Sequence, residues 1–154
     1  MGEFSGTATQ SQIDVDGDGD TATAASTAWQ GNSSLGEIAS WAVSDFLPWD
    51  GVSFCGPTAV TVVYSVASAV IRFESGDLLY LELSGGSACY DYTNYSFTFA
   101  QDSRITGGTG AFTGATGQIT TAGTGQTLLR DSRNQGVLTA VRGTIRGDFQ
   151  RHLR

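Results

Sequence analysis

The chain has 154 residues, the length of one domain with a core of its own, and it is read as a single domain over residues 1–154 with a flexible tail at about 150–154. Fifteen acids against eight Arg, no Lys and one His give a net charge of −7, which disfavours a phosphate-backbone partner and makes nucleic acid an unexpected ligand. With 21 Gly, 2 Pro and abundant Thr and Ser, the composition favours short strands and tight turns over a helical bundle, so an all-β fold is expected.

Period-two alternation of apolar and polar residues predicts eight strands, near residues 3–13, 21–30, 35–47, 59–74, 78–84, 88–100, 117–122 and 137–149. The segment 14–20 between the first two carries Asp14, Asp16, Asp18 and Asp20 at every second position with Gly17 and Gly19 between them. Alternating carboxylates followed by glycine can curl around a hard cation that wants many oxygens, which predicts Ca²⁺. An EF-hand is excluded, because Ala25 stands where the bidentate Glu would be and strands flank the loop. The alternative is a solvated hairpin turn, since Asp and Gly are turn residues in any case.

The fourth strand is apolar on both faces. Val60, Val62, Tyr64, Val66 and Val70 share one parity, and Val63, Ala67, Ala69, Ile71 and Phe73 share the other. A strand buried on both sides needs a core within and a covering element or second subunit without. The longest apolar stretch, residues 59–73, is broken by Ser65, Ser68 and Arg72, and no transmembrane helix is expected. After it, Ser75-Gly76-Asp77 predicts a turn, and Gly85-Gly86 predicts another. The last strand sets Val137, Val141, Ile145 and Phe149 on the parity of Gly143 and Gly147, which is expected to face inward, opposite Arg142, Arg146 and Asp148. Residues 48–58 and 123–136 read as long irregular connections, the kind that carry function or move.

Eight antiparallel strands with short connections are best accommodated by closing the sheet, which removes the free edges. The expected architecture is a closed antiparallel eight-stranded β-barrel. Charge divides along the chain: residues 1–102 hold thirteen acids and one Arg, and residues 103–154 hold seven Arg and two acids. Sheet neighbours from the two ends are expected to balance each other.

Residues 105–119 read Ile-Thr-Gly-Gly-Thr-Gly-Ala-Phe-Thr-Gly-Ala-Thr-Gly-Gln-Ile. This stretch resembles the turn of the allene oxide cyclase and dirigent barrels, in which Gly-Gly-Thr/Ser-Gly-x-Phe-x-Gly-x-x-Gly lies between two barrel strands. Gly107, Gly108, Gly110 and Gly114 are expected to allow positive φ, and Phe112 to plug a barrel end. The resemblance implies a barrel that binds an apolar substrate, steers ring closure by shape without an organic cofactor, and assembles as a homo-oligomer, a trimer or dimer. It carries over the turn residues Gly107, Gly108, Gly110, Phe112, Gly114 and Gly117 and no catalytic residue.

Chemistry is sparse. His152 is the one histidine, so neither a Ser-His-Asp triad nor a multi-histidine metal centre fits within one chain. The glycine-rich turn lacks the Gly-Lys-Ser/Thr ending of a phosphate loop. Were the barrel a cyclase or isomerase, Glu82 with Tyr80 or Tyr64 would be the candidates at the lumen. Aromatic residues on predicted strands suggest either a core or a ligand cavity, with Trp41, Tyr64, Tyr80, Tyr90 and Tyr92 as candidate ligand-binding residues. Cys55 and Cys89 fit one disulfide or, alternatively, two buried thiols. The pair, with the acidic Lys-free composition, points to an exported protein in an extracytoplasmic setting whose leader was replaced by Met1, Gly2-Glu3-Phe4 being a candidate cloning remnant. Three readings follow: a calcium-stabilised barrel that binds a small apolar molecule or partner; a cofactor-independent cyclase or isomerase; and a self-associating surface or matrix protein.

Overall fold

The structure is a computed structural model that describes residues 1–13, 22–47, 55, 59–132 and 136–150. Its strands are β1 (Gly2–Ile13), β2 (Ala22–Ser33), β3 (Gly36–Leu47), β4 (Ala59–Phe73), β5 (Leu78–Asp91), β6 (Ser96–Gly108), β7 (Thr116–Arg130) and β8 (Gly136–Gln150). Each pairs antiparallel with its neighbours in sequence, and β1 also pairs with β8, from Gly2 opposite Ile145 to Thr9 opposite Leu138. The sheet is a closed eight-stranded barrel, so every strand is hydrogen-bonded on both sides and none offers an edge.

Closure makes alternation decisive, because one parity of each strand faces a confined interior. Phe4, Trp29, Ile38, Ile71, Phe73, Leu79, Leu81, Ile105, Ile119 and Ile145 form one buried cluster. The connection between β6 and β7 closes over it. A short 3-10 turn, Gly110–Phe112, drops Phe112 into the barrel end, where its ring stacks on Phe73 at 4.3 Å and tilts against Phe149 at 5.8 Å. Gly110, Gly114 and Gly117 take positive φ as the turn requires. Gly108 does not. It is glycine because a Cβ there would lie 2.5 Å from the Leu78 carbonyl oxygen and 2.6 Å from the Phe112 Cβ.

Two expected boundaries are corrected. Gly85-Gly86 is not a turn but part of β5, which runs on to Asp91. Two steps on β5, Leu83 to Gly85, match a single step on β6, Ser103 to Asp102, so the glycine pair accompanies a β-bulge. Gly86 is needed there because a Cβ would sit 2.6 Å from the Ala100 carbonyl oxygen. The chain reverses instead at Tyr92–Tyr95, where the Asp91 and Asn94 carboxyl and amide oxygens accept from the backbone N–H of Thr93 (2.8 Å) and Ser96 (3.1 Å). Likewise, residues 123–130 belong to β7 rather than to a long loop.

A bulge also corrects the reading of β4. Ser44 pairs with Ala67 and Phe46 with Tyr64, so two steps on β3 match three on β4. Parity therefore switches within the strand: Tyr64 and Val62 share the inward side with Ala67, Ala69, Ile71 and Phe73, and Val63 and Val70 face out.

A disulfide joins Cys55 to Cys89 on β5, at a sequence separation of 34, and the Cys55 sulfur lies 3.0 Å from the hydroxyl of fully buried Thr61. A loop of this length contributes about 3–4 kcal/mol in the chain-entropy account. The bond is consistent with an oxidising, extracytoplasmic setting. Of the charge division, the described ion pair joins one member from each half: Arg104 donates to Glu82 at 2.6 Å across β5 and β6.

Phe112 fills the barrel end against two further rings. Phe112→Ala is expected to cost about 3–5 kcal/mol in denaturant unfolding, with far-UV circular dichroism of the folded state unchanged.

Candidate functional site

The barrel interior has two unlike halves. Below the Phe112 turn it is filled by the large apolar cluster. Beyond it, the inward positions of β1–β4 carry Ala8, Ala25, Thr27, Ala42, Ser44 and Ala67, as the registers Ala8 opposite Thr27, Thr27 opposite Ala42 and Ser44 opposite Ala67 require. An eight-stranded barrel is just wide enough for its side chains to fill it, so a wall of Ala, Ser and Thr leaves room that a wall of Leu and Phe would not. Ala42 and Ala67, although inward, retain partial exposure.

Across the barrel from that wall, β5 and β6 place Ala88 opposite Phe99 and Tyr90 opposite Phe97. Tyr90 stacks on Phe97 with ring centroids 5.8 Å apart, and Phe97 lies 5.9 Å from Phe99. The Tyr90 hydroxyl shares a 2.7 Å hydrogen bond with the Thr127 hydroxyl. Gly125 faces Phe97 on β7, and any side chain there would collide with the ring. Tyr64 lies on the inward side of β4, and burial pushes its phenol pKa up, so the ring stays protonated. One polar group stands out. Ser40, 1% exposed, sits on the inward side of β3 between Trp29 and Ile71, and its hydroxyl has no hydrogen-bond partner.

The candidate residues separate cleanly by face. Tyr64 and Tyr90 line the interior. Tyr92 stands at the rim, 4.7 Å from the Tyr90 ring and largely exposed; partial burial and then Tyr90 itself push its pKa upward. Trp41 and Tyr80 are on the outer wall, 49% and 40% exposed, and so is Glu82, cross-strand from Arg104. The expectation that Tyr80 and Glu82 reach the lumen is therefore corrected: Leu79 and Leu81 occupy the inward parity of β5, which sends residues 80 and 82 outward. Among the described residues, no inward register position carries a charged side chain. Ser40 was missed by sequence reasoning, because a lone serine on an alternating strand gives no signal of burial.

The outer wall has two features of its own. Trp41 pairs with Val70 and Val70 with Tyr80, and with Val43 they form an exposed apolar band across β3–β5, with the Arg72 guanidinium 6.0 Å from the Trp41 ring centroid. Beside it, a half-open polar cleft of about 560 Å³ is lined by Glu3, Glu37, Glu74, Gln30, Asn32 and Arg72 among others. The outer face of β6–β8 is polar, with Asp102, Arg104, Arg142, Arg146 and Asp148 exposed. On β6–β8 that arrangement, apolar within and charged without, is the reverse of the wall of a membrane-spanning barrel.

Asp14, Asp16, Asp18 and Asp20 lie outside the described residues, as do 48–54. Ile13 and Ala22 on either side of the acidic run are cross-strand partners, so the run joins adjacent positions of the β1–β2 ladder. Among the described residues no three His, Cys, Asp or Glu side chains converge to hold a metal ion.

No family model, no curated protein and no solved structure matches this chain.

Proposed function

We propose that the chain is an exported, allene oxide cyclase-like barrel that binds a small apolar molecule in the open half of its lumen. The observation that carries this reading is the contrast between the two halves of the interior: aromatic and aliphatic packing at the Phe112 end, and small side chains facing an aromatic wall at the other. Binding without turnover is favoured over a cyclase, since the described inward register positions supply phenol, hydroxyl and amide groups and no carboxylate, and the buried carboxylate of Asp45 lies on the outward parity of β3.

N-phenyl-1-naphthylamine, a neutral dye that brightens in apolar surroundings, tests the reading. Wild-type protein is expected to bind it saturably at micromolar concentration. Ala67→Phe, which places a ring in the lumen, is expected to reduce affinity by at least about tenfold, roughly the effect of 1.4 kcal/mol. Undiminished binding by that variant would place the dye elsewhere and refute a lumenal site.

Calcium belongs to the proposal through Asp14, Asp16, Asp18 and Asp20, whose like charges repel without a counter-ion. A cation binding only the folded chain raises stability by about 2.7 kcal/mol at a hundred times its dissociation constant. Millimolar Ca²⁺ is expected to raise the thermal midpoint, EDTA to reverse the rise, and Asp16→Asn with Asp18→Asn to abolish it. Equal midpoints with and without Ca²⁺ would remove the ion from the proposal.

The exposed band of Trp41, Val43, Val70 and Tyr80 favours a second reading, self-association through the outer face of β3–β5. Sedimentation at millimolar protein is expected to show a dimer or trimer that Trp41→Glu dissociates, and a monomer at that concentration would reject the reading.

A further inference from the structure

We propose that Ser40 is the recognition point of the lumen and that the ligand it takes is uncharged, an apolar molecule carrying a carbonyl or hydroxyl oxygen. This inference rests on the lumenal reading above and narrows it to a chemical class.

Three observations support it. The Ser40 hydroxyl is 1% exposed and unpartnered inside the barrel. A buried hydroxyl without a partner is costly, whereas alanine or valine would serve an apolar core at no such cost. Its position is where the packed cluster stops: Ile38, two residues before it on the same face, belongs to the cluster, and Ala42, two residues after it, borders the open half. Trp29 and Ile71 flank it across the ladders and leave it as the polar atom on an apolar floor. A ligand reaches this hydroxyl with its leading end once it displaces the side chains that close over Ser40.

Charge decides the class. The described inward register positions hold no Arg, Asp or Glu to neutralise an ionised head, and an uncompensated charge buried there is far costlier than a neutral oxygen. The other hydrogen-bonding groups at the described inward positions are likewise uncharged: the amides of Gln10 and Gln101, and hydroxyls among which Ser44 and Thr139 are buried and that of Tyr90 is already engaged with Thr127. Tyr64 stays protonated through burial and adds no anion to attract an amine. A carboxylate and an ammonium head are both disfavoured, and a ketone or alcohol of the same chain length is preferred.

The experiment is competition for the bound naphthylamine dye by 2-decanone, 1-decanol, decanoate and decylamine, with wild type and Ser40→Ala. In wild type, the ketone or the alcohol is expected to displace the dye at least about tenfold more effectively than either ion. Ser40→Ala is expected to weaken the ketone or alcohol by roughly three- to tenfold relative to the dye, the loss of one hydrogen bond. The same variant, relieved of an unpartnered buried hydroxyl, is expected to unfold at a thermal midpoint raised by roughly 3–8 °C without ligand. That rise, together with retained dye binding, separates a lost contact from a damaged fold.

Equal displacement by ketone, alcohol and ions, or ketone and alcohol affinities untouched by Ser40→Ala, would overturn this proposal and leave the lumenal site standing. Absence of dye binding in wild type, or dye binding insensitive to Ala67→Phe, would overturn both.

Discussion

Pairing of β1 with β8 is the constraint on which the rest of this structure depends. Once those two strands are joined, the sheet has no edge, and every residue is committed to a confined interior or to the outer wall. The volume left inside is then a matter of residue size at the inward positions alone. Phe4, Trp29, Phe73, Phe112 and the isoleucines take most of it at one end; Ala25, Ala42, Ser44 and Ala67 take less of it at the other.

Bulges make that division possible. Strands of twelve to fifteen residues cannot keep one strict alternation and still place Phe73 and Tyr64 inside together, since they differ in parity. The extra residue on β4 near Ala67 and the one on β5 at the Gly85-Gly86 pair each switch the inward parity. Their effect is to give the half with the smaller side chains its tyrosines, Tyr64 and Tyr90, while Trp41 and Tyr80 remain on the outside. The same closure turns Ser40 into a buried group: a serine on an edge or open sheet would face solvent, whereas inside the barrel, between Trp29 and Ile71, it has no protein partner described.

The two walls of the molecule thus offer different chemistries. The described inward register positions are uncharged, buried Asp45 lying on the opposite parity of β3, and such a lining would suit a neutral apolar guest. The exterior separates into an apolar band on β3–β5 and a polar surface on β6–β8, so contact with a second copy and uptake of a small molecule would use opposite sides of the same strands. Strand β4 contributes to both, through Ala67 and Tyr64 inward and Val63 and Val70 outward. An apolar residue on either face of that strand has its reason here.

Much of this was legible in the linear chain because it is local. Alternation announces strands, the positive-φ glycines around Phe112 announce a tight turn, and the inward parity of Val141, Ile145 and Phe149 follows from their spacing against Arg142 and Arg146. Two cysteines with an acidic, Lys-free composition pointed to the disulfide that joins Cys55 and Cys89. What the sequence could not decide is anything that depends on register between strands distant in the chain. Gly85-Gly86 has the composition of a turn and is a bulge, because only the opposing Ala100 and Gln101 backbone shows why a side chain is forbidden there. Glu82 has the look of a catalytic carboxylate and instead pairs with Arg104 outside, because its direction is set by buried Leu79 and Leu81. Ser40 is unremarked in sequence and proves to be a buried hydroxyl with no described partner, because burial and the lack of a partner are properties of three-dimensional neighbours and have no trace in composition or spacing.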